Sequence, residues 1–313
     1  MKKYYSAFMM LMAAAIWGFG FSSQKVASAL APFTMSAVRT ILAGLFLIPV
    51  IMISDRLTKS ERQLFSKRNR RFIDVNKTEL IGGIVCGTVL TVAQALQQYG
   101  INGGTDAGKS AFITALYVLF VPILGLLIKR RSPVNVWVSV AIAVVGFWLL
   151  CIKENFTVDA SDLLVLLCAV IFALHIICID KFSPGSDGIR LSCVQFFVAF
   201  VLSTIVALII ENPIAFDVIG EYFPHLFYLG VCSSGIAFTL QIVAQKNVHP
   251  AAAAVILSLE SVFGVVGSAI FLKEVMQPRE YIGCVIVFLA VILSQIDVPA
   301  LVKSVKNRKL NNE

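Results

Sequence analysis

Residues 255–271 read VILSLESVFGVVGSAIF, and residues 112–128, 143 positions earlier, read FITALYVLFVPILGLLI. Each run is apolar around one centrally placed residue, Glu260 in the later copy and Tyr117 in the earlier. Each also ends at a short hydrophilic turn before another apolar run begins. A second echo lies further out: Ala15-Ile16-Trp17-Gly18-Phe19 aligns with Val170-Ile171-Phe172-Ala173-Leu174 at an offset of 155. Residues 162–296 thus repeat 7–152 in hydropathy, run length and gap length over five successive elements.

A helix crosses a bilayer with about 20 mainly apolar residues. Ten segments qualify: 7–26, 33–53, 79–100, 106–128, 134–152, 162–180, 190–210, 226–246, 249–271 and 279–296. Composition agrees, with 58% hydrophobic and 14% charged residues and a mean hydropathy of +0.87. The expected fold is an all-α polytopic membrane protein of ten transmembrane helices in two inverted five-helix repeats. The first repeat takes 1–153, including a basic linker at 54–78; the second takes 154–298; a basic tail, 299–313, follows. Five spans per repeat is an odd number, so the two copies enter the membrane from opposite sides.

Charge sets the orientation. With both termini cytoplasmic, only Lys25, Arg39, Lys109, Lys153, Lys273 and Arg279 of the 26 basic residues fall outside or at outer levels. The 54–78 gap holds eight Lys or Arg residues, whereas its repeat partner, 211–225, holds Glu211, Asp217 and Glu221 and no basic residue. The net charge of +8 reads as orientation and contact with anionic lipid at the cytoplasmic face, not as nucleic-acid binding. The linker, with Arg68, Arg70 and Arg71 beside Phe65 and Phe72, reads as an interfacial segment. Lys2, Lys3 and Ala27-Ser28-Ala29 imitate a secretory signal, but the run between them is long enough to span and takes part in the repeat, so an uncleaved first helix is expected. The seven cysteines lack disulfide or zinc-ligand spacing. No cofactor or metal is expected, and nothing points to an enzyme: there is no phosphate loop, zinc-protease pair or ATPase cassette.

Four stretches carry a likeness: Ala14-Ala15-Ile16-Trp17-Gly18, Ala111 through Pro122, Leu257-Ser258-Leu259-Glu260, and Leu272-Lys273-Glu274 followed by Glu280-Tyr281-Ile282-Gly283. With them the chain resembles the drug/metabolite transporter superfamily, specifically its ten-span EamA-type members with two EamA repeats. The resemblance covers 7–296 and implies secondary transport by alternating access. Relatives in that superfamily export amino acids, drugs and other metabolites. The first repeat departs from the pattern at Lys129-Arg130-Arg131, where the second has Glu274.

Polar groups inside apolar spans mark the site, because charge in hydrocarbon is costly and turns toward a wet interior. Glu260 is foremost, as a holder of a cationic or amine group or as a proton carrier. Tyr117 is its repeat counterpart, offering a ring face and a hydroxyl. Gln94 and Gln98 are four apart and share a helix face, with Gln97 beside them. Trp17 lies too deep for the interfacial belt, and Gln241 marks the eighth span. The expected substrate-binding set is Trp17, Gln94, Gln98, Tyr117, Gln241 and Glu260, with Glu260 and His175 as proton-coupling candidates. Each has a structural alternative in interhelical bridging or packing. Arg39 could attract an anionic group or pair with an acid across the bundle, although snorkelling to the outer interface is favoured; Lys109 is expected to pair with Asp106 one turn away, and Pro122 to bend the fourth span.

The sequence therefore favours a carrier in a cell's inner membrane, exporting small metabolites such as amino acids or amine-bearing compounds. Organic-cation efflux, nutrient uptake, or a non-transporting scaffold or receptor stand as alternatives. One complete ten-span bundle could function as a monomer, and the sequence leaves the oligomeric state open.

Overall fold

With no water in the hydrocarbon layer to bond the peptide groups, a spanning chain satisfies them within helices. The computed structural model describes residues 2–62, 74–151, 159–211, 216–271 and 277–295, and the described residues contain helices and no strand. Ten spans follow one another: α1 (Lys2–Val26), α2 (Pro32–Arg62), α3 (Lys77–Asn102), α4 (Ala107–Ala115 and Tyr117–Leu127), α5 (Val134–Cys151), α6 (Ala160–Phe182), α7 (Gly188–Ile210), α8 (Phe223–Phe227, Tyr228–Phe238 and Thr239–Gln245), α9 (Pro250–Leu257 and Glu260–Phe271) and α10 (Pro278–Gln295). Nine are long and apolar enough to cross a bilayer; α5 contributes a shorter apolar stretch, Val134–Leu149. Most of the 54–78 linker and all of the 299–313 tail lie outside the described residues.

The packing is symmetrical under exchange of the repeats. Wherever α1 packs on α9, α6 packs on α4; α1 on α8 is matched by α6 on α3, and α2 on α8 by α7 on α3. The α2–α7, α5–α10 and α4–α9 contacts map onto themselves. Small residues allow these approaches. A Cβ on Gly18 of α1 would lie 2.4 Å from the Phe263 Cβ and 2.7 Å from the Glu260 carbonyl oxygen of α9. One on Gly146 of α5 would lie 2.7 Å from Val287 of α10. Large apolar side chains such as Leu127, Ile209, Ile282 and Phe288 face outward, while serines and glutamines are buried, the reverse of a water-soluble protein.

Both ends of the bundle are tied by charge. At the basic end, Arg190 of α7 donates twice to the Asp55 carboxylate of α2, 2.7 Å each, and once to Asp187 at 2.8 Å. There Asn76 and Glu79 form a capping box on α3, and the buried Glu79 also accepts from the Asp187 N–H at 2.8 Å. Arg130 pairs with Asp180 of α6. At the other end Lys109 of α4 pairs with Asp162 of α6 at 2.5 Å, and Thr105 donates to the same carboxylate at 3.0 Å. Lys109 thus bonds across to the second repeat, a partner beyond the local Asp106 to which the sequence pointed. Glu211 crosses to cap α2, accepting from the N–H groups of Phe33 and Thr34 at 2.8 and 2.7 Å. An acid there also complements the positive end of the helix dipole. The six described cysteines form no disulfide.

Candidate substrate cavity

Two spans are interrupted at corresponding places. α4 breaks at Leu116, and α9 breaks at Ser258-Leu259, so Tyr117 and Glu260 are each the first residue of a second half-helix. The breaks tighten the turn: Leu116 N–H bonds back three residues to Ile113 O, and Leu259 N–H to Ile256 O, at 3.2 Å each. The hydroxyls of Ser258 and Ser261 take up the Val255 and Ser258 carbonyls at 2.8 Å. Pro122 lies inside the second half of α4; the interruption sits six residues before it. Discontinuous helices near the midplane are where secondary carriers build their sites.

Between the breaks lies a cavity of about 510 Å³ of space free of protein atoms, open solvent included. Trp17, Gln94, Tyr117, His175, Gln241 and Glu260 all line it. Gln97 takes the place expected for Gln98. The Gln98 amide is instead engaged with α1 and its own helix, donating to Asn102 Oδ1 at 2.7 Å and Gln24 O at 3.3 Å. Gln97 donates to Thr114 Oγ1 at 3.0 Å and accepts from Gln24 at 2.9 Å. Five aromatic rings, Trp17, Phe21, Tyr117, Phe172 and Phe238, complete the walls. Trp17 stacks obliquely on Phe238, centroids 4.6 Å apart, and its Nε1–H donates to Ser233 O at 2.9 Å. Ser233 belongs to the π-helical stretch of α8, a local widening of the kind that often marks functional sites.

Arg39 is the residue sequence reading misplaced. It does not snorkel; it is 5% exposed and turned into the bundle, where Nε donates to Ser234 Oγ and Nη2 to Ser233 Oγ, 3.1 Å each. It forms no ion pair among the described residues, and neither does Glu260. Gln24, Thr114, Phe172, Ser233 and Phe238 were also not foreseen. One signal was available: α3 and α8 align at an offset of 147, which superposes Gln94 on Gln241 and Gln98 on Gln245. Gln245 duly mirrors Gln98, donating to the Ile176 carbonyl of α6 at 2.6 Å.

Buried polar groups in folded proteins are nearly always hydrogen-bonded. Around this cavity several are not: Gln94 Nε2, Tyr117 Oη, His175 Nδ1, Gln241 Oε1 and Glu260 Oε1 have no partner in good hydrogen-bond geometry among the described residues. The Tyr117 hydroxyl and the Glu260 carboxylate nevertheless lie close to one another. His175 uses its other nitrogen on Gln195 Oε1 at 2.9 Å and packs edge-on to Phe238. The described residues contain no cluster of His, Cys, Asp and Glu suited to a metal ion. What they offer is a set of donors and acceptors, one acid, one cation and five rings: equipment for holding a small polar molecule.

A two-repeat helical bundle with broken spans meeting at a central polar cavity is the architecture of a membrane carrier. The model of the EamA-like transporter family matches residues 5–152 and again 160–295, and the chain belongs to that family. It is accordingly a multi-pass membrane carrier of small molecules, in a family of transporters and not of enzymes. A protein of Archaeoglobus fulgidus described as an uncharacterized transporter is 29% identical over 93% of this chain and 86% of its own length. Another uncharacterized transporter, from Methanothermobacter thermautotrophicus, is 21% identical over 88% of this chain and 81% of its own. A solved crystal structure shares the fold at a TM-score of 0.72 and 14% identity, covering 94% of this chain and 97% of its own.

Proposed function

We propose that this carrier exports small amine-bearing metabolites, amino acids foremost, across the inner membrane by alternating access coupled to protons. The observation that carries the reading is the convergence of unpartnered polar atoms from α3, α4, α6, α8 and α9 on one cavity at the two helix breaks. Glu260 receives the amine and alternately a proton; Tyr117, Gln94 and Gln241 supply hydrogen bonds; Trp17 closes one wall. His175, facing the same space, is the second proton-handling group. The repeats exchange conformations about the cavity, with both termini and the basic end in the cytoplasm against anionic lipid, and a single bundle is the working unit. The five rings also suit an amphipathic organic cation through cation–π contact, which favours drug efflux as the second reading.

The test is flux in proteoliposomes over a panel of amino acids and organic cations, with and without an imposed pH gradient, for wild type and Glu260→Gln. Saturable wild-type flux whose proton dependence disappears in the folded variant is the expected result. Unchanged transport by Glu260→Gln sinks the role given to that carboxylate.

A further inference from the structure

An amine recognised by Glu260 leaves Arg39 without a task. A guanidinium buried to this degree needs an anion or a full set of acceptors, since an uncompensated charge in a low-dielectric interior is costly. Arg39 has two neutral hydroxyls. They hold Nε and one proton of Nη2, leaving both Nη1 protons and the second Nη2 proton without an acceptor among the described residues. One Nη1 N–H and the free Nη2 N–H together form the end-on fork that matches a carboxylate in bidentate fashion. The mount is rigid: a Cβ on Gly230 of α8 would stand 3.0 Å from the Arg39 carbonyl oxygen, so the two backbones are in contact there. The Ser233 carbonyl is in turn pinned by Trp17 Nε1–H at 2.9 Å.

Trp17 and Gly18 also set the fork's place relative to Glu260. Trp17 reaches the Arg39 anchor on α8, and the next residue, Gly18, abuts the Glu260 carbonyl on α9. Arg39 and Glu260 thus both line the cavity that α1 borders through Trp17. A zwitterion filling that cavity presents one charged end to each, with a hydrogen bond of about 3 Å at either end.

Resting on the amine reading of Glu260, we infer that Arg39, held by Ser233 and Ser234, is a carboxylate subsite, and that the cargo is a zwitterion carrying both groups. The same pair works against other cargo. An amine lacking a carboxylate leaves Arg39 buried and uncompensated, and a dianion meets Glu260.

The experiment compares L-phenylalanine and L-leucine with their methyl esters and with phenethylamine and isoamylamine, by equilibrium binding to purified full-length protein and by counterflow. In wild type, the amino acids should outcompete ester and amine by at least about tenfold. In Arg39→Met that ratio should fall toward one, with Arg39→Lys intermediate because a point charge replaces the fork. Esters and amines binding as well as the acids in wild type overturns the carboxylate subsite while leaving the amine reading intact. Binding by neither class overturns both. The ligand comparison needs only wild-type protein, so it decides the matter even if Arg39→Met fails to fold.

Discussion

Glutamines separate two jobs that look alike along the chain. Gln241 faces the cavity with Oε1 unpartnered, whereas Gln98 is wholly occupied with α1 and Asn102. Gln241→Leu should therefore weaken substrate binding by about tenfold, one lost hydrogen bond to a charged or polar ligand, and leave the melting temperature unchanged. Gln98→Leu should do the reverse, costing about 1–3 kcal/mol of stability because Gln24 and Asn102 lose their partner. Binding isotherms and thermal melts on the same preparations check both. Glu260 was legible as the site's acid because a carboxylate deep in an apolar run is too costly to sit anywhere but a wet interior. Arg39 was not, because depth along a span is written in the sequence whereas the direction of a long flexible side chain is not. Snorkelling and turning inward need the same residue at the same depth, and the choice rests on Ser233 and Ser234 some 195 positions away.

At the level of the helix, α4 and α9 break with neither proline nor glycine at Leu116 or Leu259, so periodicity alone gave continuous spans. Pro122, which does advertise a bend, sits six residues after the interruption, in the second half-helix. The glycines were easier to read, and their roles divide sharply. Gly18→Ala should destabilise by about 1–3 kcal/mol, because its Cβ would overlap the Phe263 side chain and the α9 backbone. Gly20→Ala meets nothing nearer than 3.6 Å and should melt like wild type or slightly higher. His249 caps α9, its Nδ1 accepting from the Ala251 N–H at 3.3 Å. Burial holds its pKa below the ordinary 6.5, outweighing the pull of Asp180 in the other direction, with Arg130 adding to the depression. The sign follows from that shift: the folded protein resists protonating His249, so its contribution is present above about pH 6.5 and declines as pH falls toward the depressed value. Thermal melts from pH 7.5 to 5 should show a larger loss for wild type than for His249→Asn, a cap without a titrating group.

Across the whole bundle, each end carries a charged tie between the repeats, Lys109–Asp162 at one and Arg130–Asp180 at the other. If opening one end requires breaking its tie, Asp162→Asn and Asp180→Asn should push the conformational equilibrium in opposite directions. Thiol labelling of Ser233→Cys with an impermeant reagent, in a background freed of native cysteines, reads this out. One substitution should speed labelling and the other slow it, and changes of the same sign would remove the ties from any gating role. Sequence carried the ten spans, the repeat and its odd span count, since these depend on hydropathy summed over long windows. The ties were beyond it, because nothing in the sequence matches Lys109 to an acid 53 positions away across the bundle.

The exchange-related packing has a consequence for how such a chain comes to exist. Nearly every major contact joins a helix of one half to a helix of the other, so neither half owns an interior. A lone five-span unit would emerge with its inner faces bare and would be cleared by quality-control proteases unless it met a second unit lying upside down beside it. Residues 1–153 and 159–313 made as separate polypeptides should therefore accumulate and work only when made together, and an ancestral gene of half this length would have had to insert its product in both orientations to obtain one functional molecule.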